Sequence, residues 1–219
     1  MKKTVTVLVL ISCLLIAQTA FASLDDKLSD VTKKYGEYRM VLDDKGRIWT
    51  RADWEAGNKE LAETYIYYYM AKDVKVQLDV MYAEKKGNKD PYVRAQRFTP
   101  DWAIQVKELK AYFPEVYALV TSAEAKVFTT KEKLTKNFLD EKSPVTLGVM
   151  IAKEPKSMPG MFTLVSFNIK GEGTFIKDPK MISGDTYISE IVVERTLKRN
   201  TVDPTDTKSW DFRDNLFQK

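Results

Sequence analysis

The sequence predicts an α+β fold in which an antiparallel β-sheet, with helices packed on one face, is preceded by a cleaved signal peptide. The central strand is predicted at Val74–Val80, where aliphatic residues alternate strictly with Lys75, Gln77 and Asp79. Such alternation is typical of a half-buried strand. Further alternating segments follow Ser143, whereas apolar residues before the central strand recur at helical spacing.

Residues 1–22 have the composition of a signal peptide. A short basic start leads into the apolar run Thr4–Ile16, and Ala20-Phe21-Ala22 supplies the small-x-small pattern for cleavage before Ser23. The run is shorter than the ~20 apolar residues of a spanning helix, so a cleaved signal peptide is favoured over a membrane anchor. It is also favoured over a lipoprotein signal at Leu10–Cys13. We therefore expect a periplasmic or secreted protein whose contact with the membrane is at most peripheral.

Composition excludes several classes of function. The only cysteine, Cys13, leaves with the signal peptide, so the mature chain is expected to lack disulfides, as bacterial envelope proteins of this size can. The chain has 35 basic and 31 acidic residues, too even a balance for nucleic-acid binding. It has no histidine, which removes imidazole catalysis and histidine metal sites. No nucleotide, hydrolase or EF-hand motif is present, and we expect no cofactor.

Elements before the central strand are predicted from capping residues and apolar spacing. An amphipathic helix begins at Ser23 and ends before Gly36, and a hairpin joins Tyr38–Leu42 to Gly46–Trp49. The next segment, Asp53–Ala71, is interpreted as a helix. For its tyrosine-rich end a strand stays open as an alternative, since aromatic residues favour strands.

The return strand of the central hairpin is predicted at Tyr92–Phe98. Strict alternation would place Arg94 with Phe98 on one face and Arg97 with Val93 on the other. A helix capped by Thr99 follows and ends at Pro114. For the next segment, Glu115–Val127, both helix and strand stay open. A short helix is predicted to begin near Thr129.

The C-terminal part is predicted to be strands, at Val145–Ile151, Met161–Ile169, Thr174–Lys177 and Thr186–Leu197. We expect residues 23–200 to form a single domain and residues 201–219 a polar tail with an aromatic anchor.

An aromatic group is the candidate ligand-binding site. Its members are Trp49, Trp54, Tyr65 and Tyr68, of which the last three share one face of the predicted helix. Aromatic walls with a few polar tips suit a sugar or another flat ligand. The alternative is that the same side chains form an ordinary core with hydroxyls at its rim.

A methionine-rich segment, Met158-Pro159-Gly160-Met161, is a candidate copper site, with Met150 and Met181 in neighbouring segments. Thioethers select Cu(I). The four residues resemble the methionine-rich loops of periplasmic copper-resistance proteins, although no histidine completes the site. The alternative is a Pro-Gly turn whose methionines fill gaps in the core.

A basic hairpin is the candidate contact for an anionic surface such as lipid phosphates or polysaccharide. Its cations are Lys85, Lys86, Lys89 and Arg94. The alternative is a solvated hairpin tip whose charges protect a sheet edge.

The sequence favours an exported, non-catalytic domain that binds a small ligand or a protein partner in the bacterial envelope. An envelope glycan hydrolase is the first alternative, because two facing carboxylates suffice for that chemistry. The candidate carboxylates are Asp43, Asp44, Asp53, Glu55, Asp101, Glu190 and Glu194. A methionine-based copper-binding protein is the second alternative.

Overall fold

The structure is a computed structural model that describes residues 24–57, 61–83, 90–129, 146–151, 161–171, 176, 181–197 and 216–217. The predicted signal peptide, the short helix after Thr129, all but one residue of the strand Thr174–Lys177 and most of the tail lie outside the described residues. No helix among the described residues has the length and apolar character to cross a membrane.

The described part is an α+β structure made mostly of antiparallel strands. The strands are β1 Met40–Leu42, β2 Ile48–Thr50, β3 Thr64–Ala71, β4 Val74–Tyr82, β5 Val93–Pro100, β6 Ile104–Gln105, β7 Ala125–Thr129, β8 Thr146–Ile151, β9 Met161–Lys170 and β10 Tyr187–Leu197. The helices are α1 Leu28–Tyr35, α2 Arg51–Gly57, α3 Leu109–Tyr112 and α4 Pro114–Val120, with a 3-10 turn at Val106–Glu108.

All the strands belong to one sheet with the order β2-β1-β3-β4-β5-β10-β9-β8-β7, and β6 also pairs with β10. Every pairing is antiparallel. The chain therefore builds one half of the sheet as far as β5 and the other half from β7 onward. The last strand, β10, returns to the middle and joins the halves through the register from Ile191↔Phe98 to Glu194↔Ala95.

One face of the sheet, here called the core face, is apolar and buried. The central strand β4 supplies it with a fully buried row, Val74, Val76, Leu78 and Val80, followed by Tyr82. The predicted alternation of this strand is confirmed, because its intervening residues are exposed or half-buried. Those intervening residues and their cross-strand partners form the opposite face, here called the polar face.

The described helices contribute rings to the core face. Tyr35 of α1 lies 5.0 Å from Tyr69, and Phe113, just after α3, lies 5.8 Å from Phe98. Trp54 of α2 lies 6.4 Å from Trp49 of β2. Leu109, Val116 and Val120 are buried beside them, as the apolar spacing of α3 and α4 requires.

The predicted helix Asp53–Ala71 is wrong beyond residue 57. The chain leaves α2 at Gly57 and forms β3 from Thr64, so the tyrosine-rich stretch is a strand. A two-residue turn, Lys72-Asp73, joins β3 to β4, and Lys72 has a positive φ of 55° as a tight hairpin demands. Tertiary pairing with β4 thus outweighs the helical spacing of the tyrosines.

The predicted faces of β5 are also wrong, because a bulge interrupts its alternation. Met81 pairs with Ala95, but Tyr82 pairs with Val93, which leaves Arg94 as the extra residue. Val93 and Phe98 consequently share the core face, and both are fully buried.

Two further segments differ from expectation. The segment left open at Glu115–Val127 contains both alternatives, since α4 ends at Val120 and β7 begins at Ala125. The helix predicted after Thr99 is shorter than expected, because β5 continues to Pro100 and β6 follows before the helical turns.

Candidate functional site

The structure divides the predicted aromatic group between the two faces of the sheet. Trp49 pairs with Val41, which pairs with Tyr65, so these side chains lie in one row on the core face. Trp54 and Tyr65 are buried and Trp49 is half-buried. Tyr68 lies three residues after Tyr65 on the same strand and therefore projects to the polar face.

The polar tips of Trp49 and Tyr65 bond within the protein. The indole Nε1 of Trp49 donates to Asp43 Oδ2 at 3.0 Å, and the Tyr65 hydroxyl accepts from the Ala62 backbone N–H at 3.3 Å. Tyr65 also meets Tyr38 and Tyr82 edge-on, with ring centroids 4.9 and 5.5 Å away. Such interlocked edge contacts are typical of a packed core.

Tyr68 instead begins a row of polar side chains that crosses the polar face. Its hydroxyl donates to Gln77 Oε1 at 3.2 Å, and Gln77 Nε2 donates to Asp79 Oδ1 at 2.9 Å. The ammonium of Lys75 lies 5.0 Å from the centre of the Tyr68 ring. One edge of the row thus combines an aromatic ring, a cation and an amide.

The row continues across the pairing of β5 with β10, where the two halves of the sheet meet. Asp79 pairs with Arg97 in the β4–β5 register, and Arg97 Nε lies 3.4 Å from Glu190 Oε2. The other carboxylate oxygen of Glu190 accepts from Asn168 Nδ2 at 2.7 Å. Donors and acceptors therefore alternate over five neighbouring strands, from β3 to β9. We call Tyr68, Gln77, Asp79, Arg97, Glu190 and Asn168 the polar row.

Two carboxylates on the polar face are half-buried, and burial raises the pKa of each. The pKa of Asp79 is raised although the hydrogen bond from Gln77 and the charge of Arg97 oppose the effect. The pKa of Glu194 is raised against the charge of Arg94. Carboxylates held this way bind a proton or a hydrogen-bond donor more readily than freely solvated ones.

The other predicted sites are only partly described. Lys85, Lys86, Lys89 and Met158 lie outside the described residues. Arg94 is exposed at the bulge of β5. Met161 begins β9, whereas Met181 lines a cleft together with Gly171 beyond the other end of that strand. Roughly 30 Å of strand separates the two ends, so these two sulfurs cannot share one ion.

An open cleft of about 320 Å³ lies beside the start of β10. Its charged group, Asp185, already pairs with Lys107 at 2.6 Å, and the Thr186 hydroxyl accepts from the Ser183 backbone N–H at 2.8 Å. The described residues of the lining include no cation, and their one carboxylate is already paired, so we assign the cleft no ligand. Nor do three or more carboxylates of the described residues gather into a metal site.

Sequence reasoning found Tyr68 and Glu190 but missed the row that joins them. Asp79 and Arg97 lie 18 residues apart in sequence and meet only through the β4–β5 register. Asn168 meets Glu190 only because β10 pairs with β9. Alternation alone identified Gln77 and Asp79 as members of one face.

No protein-family model matches this chain, and searches of curated proteins and of solved structures likewise find no match.

Proposed function

We propose that this chain is an exported, non-catalytic binding protein of the bacterial envelope, and that its polar face holds a saccharide. The observation that carries the proposal is the polar row, in which donors and acceptors alternate across five strands beside an aromatic ring. Export itself rests on the signal-like composition of residues 1–22.

The chemistry of the row suits a ligand rich in hydroxyl groups. A hydroxyl both donates and accepts, so it fits a surface that offers carboxylate acceptors next to guanidinium and amide donors. Asp79 and Glu190 supply the acceptors, while Arg97 and Asn168 supply the donors. The ring of Tyr68 adds an apolar surface on which a sugar ring can stack.

Accessibility supports the same face. The exposed fractions of the Arg97 and Glu190 side chains are 47% and 25%, so a ligand can reach the middle of the row. The ring contacts of the described helices fall on the core face, so these rings leave the polar row uncovered.

A glycan hydrolase is the second candidate, because Asp79 and Glu194 share the polar face and both have a raised pKa. Glu194 pairs with Ala95, two residues along β5 from the partner of Asp79. Two strand spacings and two residues separate their Cα atoms by roughly 12 Å. Glycosidase carboxyl pairs lie about 5–10 Å apart, and upright side chains on a sheet keep roughly the spacing of their Cα atoms. Binding without catalysis is therefore preferred.

The test is calorimetric titration of the purified mature protein with soluble peptidoglycan fragments and envelope polysaccharides. We expect Tyr68→Ala and Arg97→Ala each to weaken binding about tenfold or more, which corresponds to ~1.4 kcal/mol. The matched controls are Tyr92→Ala and Arg39→Ala, which remove an exposed tyrosine and an exposed arginine outside the row. Both controls should bind as the wild type does.

Two results would count against the proposal. One is wild-type protein that binds none of these glycans with a Kd below about 1 mM, which is ~4 kcal/mol of binding free energy. The other is an equal loss of affinity in all four variants. Release of reducing ends that stops in both Asp79→Asn and Glu194→Gln would instead establish the hydrolase.

A further inference from the structure

The guanidinium of Arg195, near the end of β10, is buried on the core face. The exposed fraction of its side chain is 0%, and Nη2 lies 3.3 Å from Asp25 Oδ1. Among the described residues, Nε and Nη1 of Arg195 have no hydrogen-bond partner. A buried cation with donors that bond to nothing is rare, because each unmet donor is costly in an apolar interior.

Asp25 neutralises this cation only in part. Its own side chain is 43% exposed, and its hydrogen bond with Arg195 reaches a single nitrogen at the long end of hydrogen-bonding distances. An arginine cannot escape the imbalance by releasing its proton. The buried charge therefore needs a further acceptor.

Other buried polar groups lie at the same end of the core face. Thr163 is the cross-strand partner of Arg195 on β9, and its exposed fraction is 8%. Gln96 of β5 pairs with Val193, two residues before Arg195, and is fully buried. The apolar core thus contains a polar corner built by three adjoining strands.

We propose that Arg195 is the centre of an internal anion-binding site that takes a carboxylate or phosphate group. Each of its two unmet nitrogens shares an edge of the planar guanidinium with Nη2. The edge that Asp25 does not bond presents two parallel N–H groups, the arrangement that carboxylates and phosphates fit. The site does not depend on the polar face, which lies on the other side of the sheet.

The segment that carries Asp25 forms the wall of the site towards solvent. It is fixed to β5 by the hydrogen bond from the Val93 backbone N–H to the Asp26 carbonyl at 2.9 Å and by the bridge between Lys27 and Tyr92. Since Asp25 and a bound anion carry the same charge next to one guanidinium, they compete for it. Removing the Asp25 charge should therefore strengthen anion binding.

The test is thermal unfolding of the mature protein with increasing inorganic phosphate or, separately, sodium octanoate, at ionic strength matched with chloride. We expect the Tm of the wild type to rise by about 2–4 °C or more with at least one of them. A response to phosphate alone indicates a phosphate ligand, and a response to octanoate alone a carboxylate. Arg195→Met should abolish the rise, and Arg39→Met, which removes an exposed arginine far from both proposed sites in sequence, should keep it.

The variant Asp25→Asn tests the anion site independently, including the case in which Arg195→Met does not fold. We expect this variant to reach half of its Tm rise at an anion concentration at least about threefold lower than the wild type. A structural ion pair alone would not produce that gain. The proposal is overturned when neither anion raises the Tm of the wild type, when Arg195→Met responds as the wild type does, or when Asp25→Asn gains no affinity.

Discussion

Asp43 shows how one residue fixes a hairpin. Its carboxylate accepts the backbone N–H groups of Lys45 and Arg47, the Arg47 guanidinium and the Trp49 indole at 2.8–3.0 Å. Burial acts to raise the pKa of Asp43, but these hydrogen bonds outweigh it and hold the pKa well below its usual range. The β1–β2 connection is thus organised around an ionised side chain.

Asp43→Asn should therefore lower the stability of the protein at neutral pH. A depressed folded-state pKa means that the stabilisation is complete above the unfolded pKa of about 4 and is lost as the pH falls below it. Urea unfolding at pH 7 and at pH 3 checks this. The wild type should have the higher midpoint at pH 7, and the difference should shrink at pH 3; a difference independent of pH would contradict the role of the charge.

The pKa of Asp79 is raised, whereas that of Asp43 is lowered. Removing the charge of Asp79 should therefore not destabilise the protein at neutral pH. Burial raises its folded-state pKa, so the ionised form opposes folding above that pKa, and the wild type gains stability as the pH falls towards about 4. Asp79→Asn should be as stable as the wild type at pH 7, or more so, while its affinity for the glycan falls. Urea unfolding and calorimetric titration of one preparation measure both. A loss of stability would mean that Asp79 is a structural residue.

At the scale of elements, the β3–β4 hairpin organises the sheet. Each residue from Thr64 to Ala71 pairs with one from Met81 to Val74, and β4 also pairs with β5. Alternation in β4 could be predicted because every second residue is aliphatic. The hairpin could not, since its turn, Lys72-Asp73, contains no glycine, and the spacing of Tyr65 and Tyr68 also fits a helix.

Leu78→Ala tests the central position of β4. Leu78 is fully buried between Tyr67 and Phe98 on its two neighbouring strands. Its truncation should lower the free energy of unfolding by about 2–5 kcal/mol. Lys75→Ala on the exposed side of the same strand should change it by less than about 0.5 kcal/mol. Urea unfolding of the two variants measures both changes. If Leu78→Ala lowers the free energy of unfolding by less than about 1 kcal/mol, the core lies elsewhere.

The whole molecule depends on a pairing that local sequence cannot reveal. β10 lies between β5 and β9, and this placement completes both the polar row and the corner around Arg195. Arg97 and Glu190 are 93 residues apart along the chain but only 3.4 Å apart in space. The α+β class and the strands Met161–Ile169 and Thr186–Leu197 followed from local alternation. The site did not, because it consists of contacts between distant strands.

The most direct test of the saccharide site on the polar face is to map where a glycan contacts the protein. Two-dimensional amide NMR of the labelled mature protein, titrated with the envelope glycan that binds it most tightly, reports each backbone position. We expect the largest shifts along β3, β4, β5, β10 and β9 at residues of the polar row, with little change in α1 or α4. Shifts centred on Trp49 and Trp54, or a spectrum that no glycan changes, would contradict it.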